Sequence, residues 1–327
     1  LEISRENYNF QKVIAVVGVA LFVVKFVAWY MTNSVAILTD ALESTINVTA
    51  GFVGLYSLYL AAQPRDANHP YGHGKVEFVS AAIEGTLISV AGLLIVYKAI
   101  DNLRHPGEIV DLDYGIILVA ATAFVNYAVG TLAVRKGRLN NSLALVASGR
   151  HLQSDTYSTV GIIVGLVLLL LTGRVWLDSV VALIFGAIII FTGYRILRRS
   201  IAGIMDEADE ELLKRVVATL EASRRENWID LHNLRIIKYG NTLHVDCHLT
   251  VPWFLTVQEA HDEVDAVAGL IDSNFGESIE MFVHTDPCAA FSCELCTKSD
   301  CGERQAKFVK RLEWTAIDIA DDAKHRL

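Results

Sequence analysis

Several groups of residues in this chain are spaced to hold a metal ion. The stretch TDALESTINV carries Asp40, Glu43 and Asn47 at i, i+3 and i+7, one face of a helix, and GRHLQSD carries His151 and Asp155 at i and i+4, again one face. Imidazole together with carboxylate oxygens suits zinc(II) and neighbouring first-row ions, whereas calcium and magnesium take oxygen ligands. The segment PRDANHPYGHGK gathers Asp66, His69 and His73 within eight residues, with Pro70 and Gly72 to bend the chain. Further on lie His232, His248, His261, His284 and Asp286. They are followed by DPCAAFSCELCTKSDC, where Cys288, Cys293, Cys296 and Cys301 are separated by four, two and four residues. Four thiols at this density can close a tetrahedral site, although the paired halves of a zinc ribbon are missing. Each group also has a plainer reading: helix-to-helix hydrogen bonds, a solvated turn, scattered surface or core histidines, and a set of free thiols.

The elements that must position these groups fall into two classes. Of 327 residues, 53% are hydrophobic and 20% charged, and the mean hydropathy is +0.38, a composition of the bilayer rather than of a soluble domain. The long apolar runs lie within residues 8–198, whereas 206–327 is acid-rich. Six segments are long enough to span, at 9–31, 35–62, 76–103, 113–136, 143–172 and 177–198, and the first is expected to be a retained helix rather than a cleaved signal peptide. The connections after the second, fourth and sixth carry Arg65 and Lys75, then Arg135, Lys136 and Arg138, then Arg195, Arg198 and Arg199. By the positive-inside rule these connections and both termini are expected on the cytoplasmic side, with Lys98 and Arg104 dissenting. The opposite loops are short or acidic, as around Glu108, Asp111 and Asp113. Cytosolic thiols would stay reduced. A net charge of −9 argues against a nucleic-acid partner. Polar residues at membrane depth are costly unless they face an interior or a cavity, which favours a functional reading of Glu43, His151 and Asp155. Asp40, Lys25 and Asn126 carry a weaker functional reading and a structural one ahead of it, Lys25 by pairing with an acid or lying in a cavity and Asn126 by bridging helices.

The C-terminal part reads as a small α+β domain in the order α-β-β-α-β. Leu212, Leu213, Val216, Val217 and Leu220 recur at helical spacing, and LRIIKYG and LHVDCHLTV alternate like strands about a turn at Gly240 and Asn241. TVQEAHDEVDAVAGLI then reads as a helix and SIEMFVHTD as a third strand. Alternation sends His244, Asp246 and His248 to one face. The final stretch, RQAKFVKRLEWTAIDIADDAKHRL, is expected as a terminal helix.

HPYGHGK after the second span, HLQSD in the fifth and HTDPC at the end of the tail together resemble the cation diffusion facilitator family, and most of all its bacterial zinc-transporter branch. The resemblance implies a homodimer, with both termini cytoplasmic in a bacterial-type inner membrane, that exchanges cytosolic divalent metal for protons. It is a transporter and no enzyme. Zinc is then the expected substrate and structural ligand, and iron(II), manganese or cobalt the alternatives. A non-transporting metal receptor is the rival class. The implied domains are 1–205 for transport, 206–290 for a cytosolic metal-binding domain, and 291–327 for a Cys-rich extension to which no family role carries over. His151 and Asp155 match the family's transport pair, and Glu43 and Asn47 fall at the partner positions. There Asn47 removes a negative charge and Glu43 lengthens the other arm, and Asp40 a turn away is a candidate to replace the lost carboxylate. Asp66, His69 and His73 match the loop site. His232, His248, His261, His284 and Asp286 match the two-metal tail site.

Overall fold

The computed structural model describes residues 2–107, 109–139, 143–239, 242–275 and 279–327. Glu108 and the turn at Gly240 and Asn241 lie outside them. Cα packing divides the chain into two compact units, Leu1–Ser57 with Val79–Ile201, and Leu58–Phe78 with Ala202–Leu327.

The first unit is built on helices α1 (Glu2–Thr32), α2 (Val35–Ala61), α3 (Val76–Arg104), α4 (Leu112–Leu139), α5 (Leu143–Thr172) and α6 (Trp176–Ile204). Among the described residues, five of these are long and apolar enough to cross a membrane. The sixth, α2, has 27 residues and carries Asp40, Glu43 and Asn47. Asn33 and Ser34 break the chain between α1 and α2, with Asn33 in the left-handed region at φ 54°.

Two devices fix α2 and α5. Asp178 of α6 caps the start of α2, accepting from Ser34 Oγ at 2.5 Å, Val35 N at 2.8 Å and Ala36 N at 3.2 Å, so a buried carboxylate satisfies amides that the helix cannot. Gly130 of α4 and Gly149 of α5 meet backbone to backbone. A Cβ at Gly149 would stand 2.5 Å from Gly130 O, and one at Gly130 would stand 2.8 Å from Gly149 O. Small residues of this kind let membrane helices pack closely where no hydrophobic force draws them together. The close approach sets the rotation of α5, and hence where His151 and Asp155 point.

The second unit holds α7 (Glu210–Ala222), β1 (Asp230–Tyr239), β2 (Thr242–Val251), α8 (Val257–Phe275) and β3 (Ile279–Pro287), the expected α-β-β-α-β order. Asp209 caps α7 by accepting from Leu212 N. The sheet order is β1-β2-β3, antiparallel then parallel. Val245, Cys247, Leu249 and Val251 are buried against Val216, Val217 and Leu220 of α7 and Val267 and Ile271 of α8. Their alternates His244, Asp246 and His248 lie on the other face, as period two requires. Burial pushes the Cys247 thiol, inside this core, up to about 12.

The terminal helix is absent. Residues 303–317 run irregularly, with short 3-10 turns at Ala290–Glu294 and Asp318–Ala320. Trp314 and Ile319 both enter the tail core. Five residues apart on a helix they would diverge by about 140° at 3.6 residues per turn, so burying both demands an unwound strap. The strap is held by Arg311 on Glu221 at 2.6 Å, by Arg224 stacked 4.0 Å above the Trp314 ring, and by Asn233 N donating to Asp321 O at 2.6 Å.

Candidate metal centres

In the helical unit, His151 Nε2 lies 3.8 Å from Asp155 Oδ2, and Asn47 Nδ2 of α2 donates to that same oxygen at 2.9 Å. His151 is 58% exposed and Asp155 15%, so the pair opens outward from a shielded carboxylate. Glu43 faces the charges of Asp155, Asp40 and Lys25. Thus α2 and α5 bring Asn47, Glu43, His151 and Asp155 to one place.

Asp40 departs from the expectation that it joins them. Its Oδ1 is 2.9 Å from Lys25 Nζ, in an ion pair only 2% and 1% exposed, and 2.8 Å from Thr159 Oγ1. Its Oδ2 is buried without a hydrogen-bond partner among the described residues. The acid beside Lys25 is therefore Asp40, and losing it would leave a buried ammonium unpaired. Asn126 is buried on α4.

In the loop before α3, which belongs to the second unit, Asp66 Oδ1 lies 3.1 Å from His69 Nδ1 and Asp66 Oδ2 lies 3.4 Å from His73 Nε2. The two rings sit 4.4 Å apart. Backbone amides of His69 and Asn68 and the His69 ring hold the Asp66 carboxyl below its ordinary value. Gly72 stands at φ +90°, where a side chain is strained, and this bend brings His73 back toward Asp66. The Nδ1 of His73 is buried with no hydrogen-bond partner among the described residues.

The tail group depends on register. His232 of β1 pairs with His248 of β2, and His248 with His284 of β3, so one imidazole from each strand stands in a row. Asp286, two residues beyond His284, reaches His232 Nε2 at 3.4 Å, His248 Nδ1 at 3.3 Å and His284 Nε2 at 4.0 Å. A bulge after His232 puts Asn233 at φ 54° and its Nδ2 3.3 Å from His248 Nε2. Two trios, Asp66–His69–His73 and His232–His248–Asp286, have donor atoms all within 4.8 Å. His261 is apart from them, on an exposed stretch of α8 with its Nε2 3.7 Å from Asp265.

Sequence reasoning missed the groups behind His232. Asp230 lies 3.5 Å from His232 Nδ1, accepts from His325 N at 3.0 Å, and sits 2.6 Å from His325 Nδ1. Burial works against its charge, yet hydrogen bonds from His232 and His325 hold its carboxyl well below the usual range. A carboxylate behind an imidazole fixes which nitrogen faces forward. The only sequence signal was the i, i+2 spacing of Asp230 and His232 on a strand. Lys324 Nζ also lies 3.2 Å from Asp286 Oδ1, so the strap sets a cation against the central carboxylate.

The hydrogen bond to Asp230 raises His325 above its ordinary 6.5, against the opposing effect of burial. A raised histidine stabilises fully below its unfolded value, and that contribution is lost as pH climbs through the folded one. The protection of the strap from protease in the native chain, relative to His325→Ala, should therefore be greatest below pH 6.5 and fade above it. A ratio that stays constant with pH would contradict this.

Cys288, Cys293, Cys296 and Cys301 line one cavity beyond the end of β3, and all are free thiols.

Residues 12–205 match the family model of the cation efflux transmembrane domain, and residues 208–288 that of the cation efflux protein cytoplasmic domain. The chain belongs to the cation efflux family. These are the cation diffusion facilitators that its motifs resemble, transporters of divalent metals rather than enzymes. Relatives include the "uncharacterized transporter sll1263" of Synechocystis sp., 34% identical over 80% of this chain and 84% of its own length. The cation-efflux pump FieF of Shewanella oneidensis is 26% identical over 83% and 90%, and metal tolerance protein C1 of Arabidopsis thaliana 28% over 92% and 67%. As a cation efflux protein with several apolar helices, the chain is a multi-pass membrane protein whose substrate is a divalent metal. The family models stop at residue 288, so Cys293, Cys296 and Cys301 lie beyond both.

Proposed function

We propose that this cation efflux protein is a proton-coupled antiporter exporting divalent transition metal, zinc foremost, from the cytoplasm across a bacterial-type inner membrane. The observation that carries the reading is the meeting of Asn47 and His151 on Asp155 Oδ2, at 2.9 and 3.8 Å, between two helices of the spanning unit. His151 and Asp155, with Glu43 and Asn47, are the transport ligands. Imidazole and carboxylate must shed protons to bind metal and regain them to release it, which couples the two fluxes at one site. Alternating exposure of that site to either side completes the exchange. The positive connections and the match of the tail to a cytoplasmic domain both favour termini inside.

The oxygen-rich set, with Asn47 in place of an acid, supports a second reading: preference for iron(II), manganese or cobalt over zinc. Proteoliposomes with an acidic lumen, given each metal in turn, separate the readings. Acid-driven zinc entry that His151→Ala silences supports the first; faster entry of another metal supports the second. Movement of none would return the receptor alternative.

In this reading the tail binds metal through His232, His248, His284 and Asp286, the loop through Asp66, His69 and His73, and two copies join through their tails, where the exposed His261 adds a donor. Metal that prefers one state of the dimer then biases transport. Lys324 competes for Asp286. Partly exposed pairs are worth about 0.2–1 kcal/mol, so Lys324→Met should tighten metal binding by at most about fivefold in calorimetry on the full chain. Weaker binding would remove the tail site from the proposal.

A further inference from the structure

The four cysteines beyond β3 form a site of different chemistry from the histidine–carboxylate groups. Cys293 and Cys296 are buried, Cys288 and Cys301 half-buried, and all four open into one cavity of about 400 Å³. Besides the apolar Pro252, Trp253 and Phe254, this cavity is lined by Lys298, Glu303, Arg304 and Gln305, whereas Cys247 is packed within the hydrophobic tail core.

The loop that carries them is held in shape by its own hydrogen bonds. Cys288 N donates to Val251 O at 2.9 Å, extending the ladder of β2 and β3 by one step, so the first thiol is fixed to the strand that bears His284 and Asp286. Arg304 reaches into the turn, donating to Cys293 O at 2.9 Å, Cys296 O at 3.1 Å and Lys298 O at 2.6 Å. Gln305 N donates to Cys293 Sγ at 3.4 Å. Val309 N and Lys310 N both donate to Glu294 O. An amide aimed at sulfur and a guanidinium bonded to three carbonyls hold the turn in one shape.

We propose that Cys288, Cys293, Cys296 and Cys301 hold an iron–sulfur cluster. Two observations support it. The run Cys-x4-Cys-x2-Cys followed by a fourth cysteine matches the order of ligands in plant-type [2Fe–2S] proteins. The thiols also surround a cavity, while the compact donor groups, within 4.8 Å, are the two histidine–aspartate trios. Bridging sulfide spaces four cysteines around a shared core in a way that one ion does not. Arg304 places a guanidinium within the turn that carries the thiols, while Lys298 pairs with Asp300 at 3.0 Å. Binding would tie the strap segment around Arg304 to the end of β3, joining a redox-sensitive group to the strand that carries Asp286.

The full-length chain, purified in detergent without oxygen and supplied with ferric iron, sulfide and a thiol, tests this. Expected are iron and acid-labile sulfide in equal amounts and a broad visible absorption, both retained by Cys247→Ser and lost from Cys293→Ser and Cys301→Ser. Circular dichroism of each variant separates loss of the cluster from loss of the fold. The unmutated chain decides the matter by itself: zinc or iron bound without sulfide, or no metal at all, overturns the cluster. Transported ions carry no sulfide, and His151→Ala should keep the visible band. The cluster and the transport reading can therefore fail separately.

Discussion

Replacing Asp155 with alanine is expected to reduce metal transport by more than about 100-fold, because even the outer partners of a metal ligand are worth about 10- to 100-fold, and this carboxylate is the point on which α2 and α5 converge. The fold should survive. Asp155 accepts one hydrogen bond from Asn47, a neutral partner, and faces a histidine that is 58% exposed, so its removal strands no buried charge. Transport initial rates in proteoliposomes, set against the thermal unfolding of the same detergent-solubilised variant, check both halves of the expectation. Near-normal transport would remove Asp155 from the site. Equal loss of transport and stability would make it a structural residue.

The opposite behaviour is expected one turn away on α2. Asp40→Asn leaves Lys25 charged and almost wholly buried, and breaking such a pair from one side costs about 3–5 kcal/mol. Replacing both, as Lys25→Met with Asp40→Leu, takes the two charges out together and should recover most of that loss. The measurement is the unfolding midpoint of the two single variants and the double one. If Asp40 were a transport ligand instead, Asp40→Asn would lose metal transport at unchanged stability and the double variant would not recover. Thr159 Oγ1 lies 2.8 Å from the Asp40 carboxylate and 2.9 Å from the backbone carbonyl of Asp155, so it touches one carboxylate and not the other. Their roles differ because one faces a buried ammonium and the other faces outward.

That difference marks how far the sequence could be read. Asp40, Glu43 and Asn47 share a helix face by spacing alone, and spacing cannot say which of them turns toward α1. Lys25 was legible as pairing with an acid or lying in a cavity; the choice, and which acid, depends on the packing of two helices. The cap that Asp178 places on α2 was hidden for the same reason, since 144 residues separate it from Ser34. The strap shows a second kind of limit. Its residues favour a helix locally, and only the core that receives Trp314 and Ile319 overrides that preference.

What the sequence by itself determined is whatever local periodicity encodes. The apolar runs give the helices, i, i+4 spacing puts His151 and Asp155 on one face, and alternation along β2 separates His248 from the core. The short span from Asp66 to His73, bent at Gly72, makes a local cluster for the same reason. Tertiary structure alone decided the long-range meetings. Strand register sets His232, His248 and His284 in a row and leaves His261 outside it, and the close approach of Gly130 and Gly149 rotates α5. A fold of the last forty residues then brings His325 to Asp230, Lys324 to Asp286 and four thiols around one cavity. Spacing along one element is set by backbone geometry that every sequence shares, whereas the pairing of distant elements is set by which surfaces bury each other.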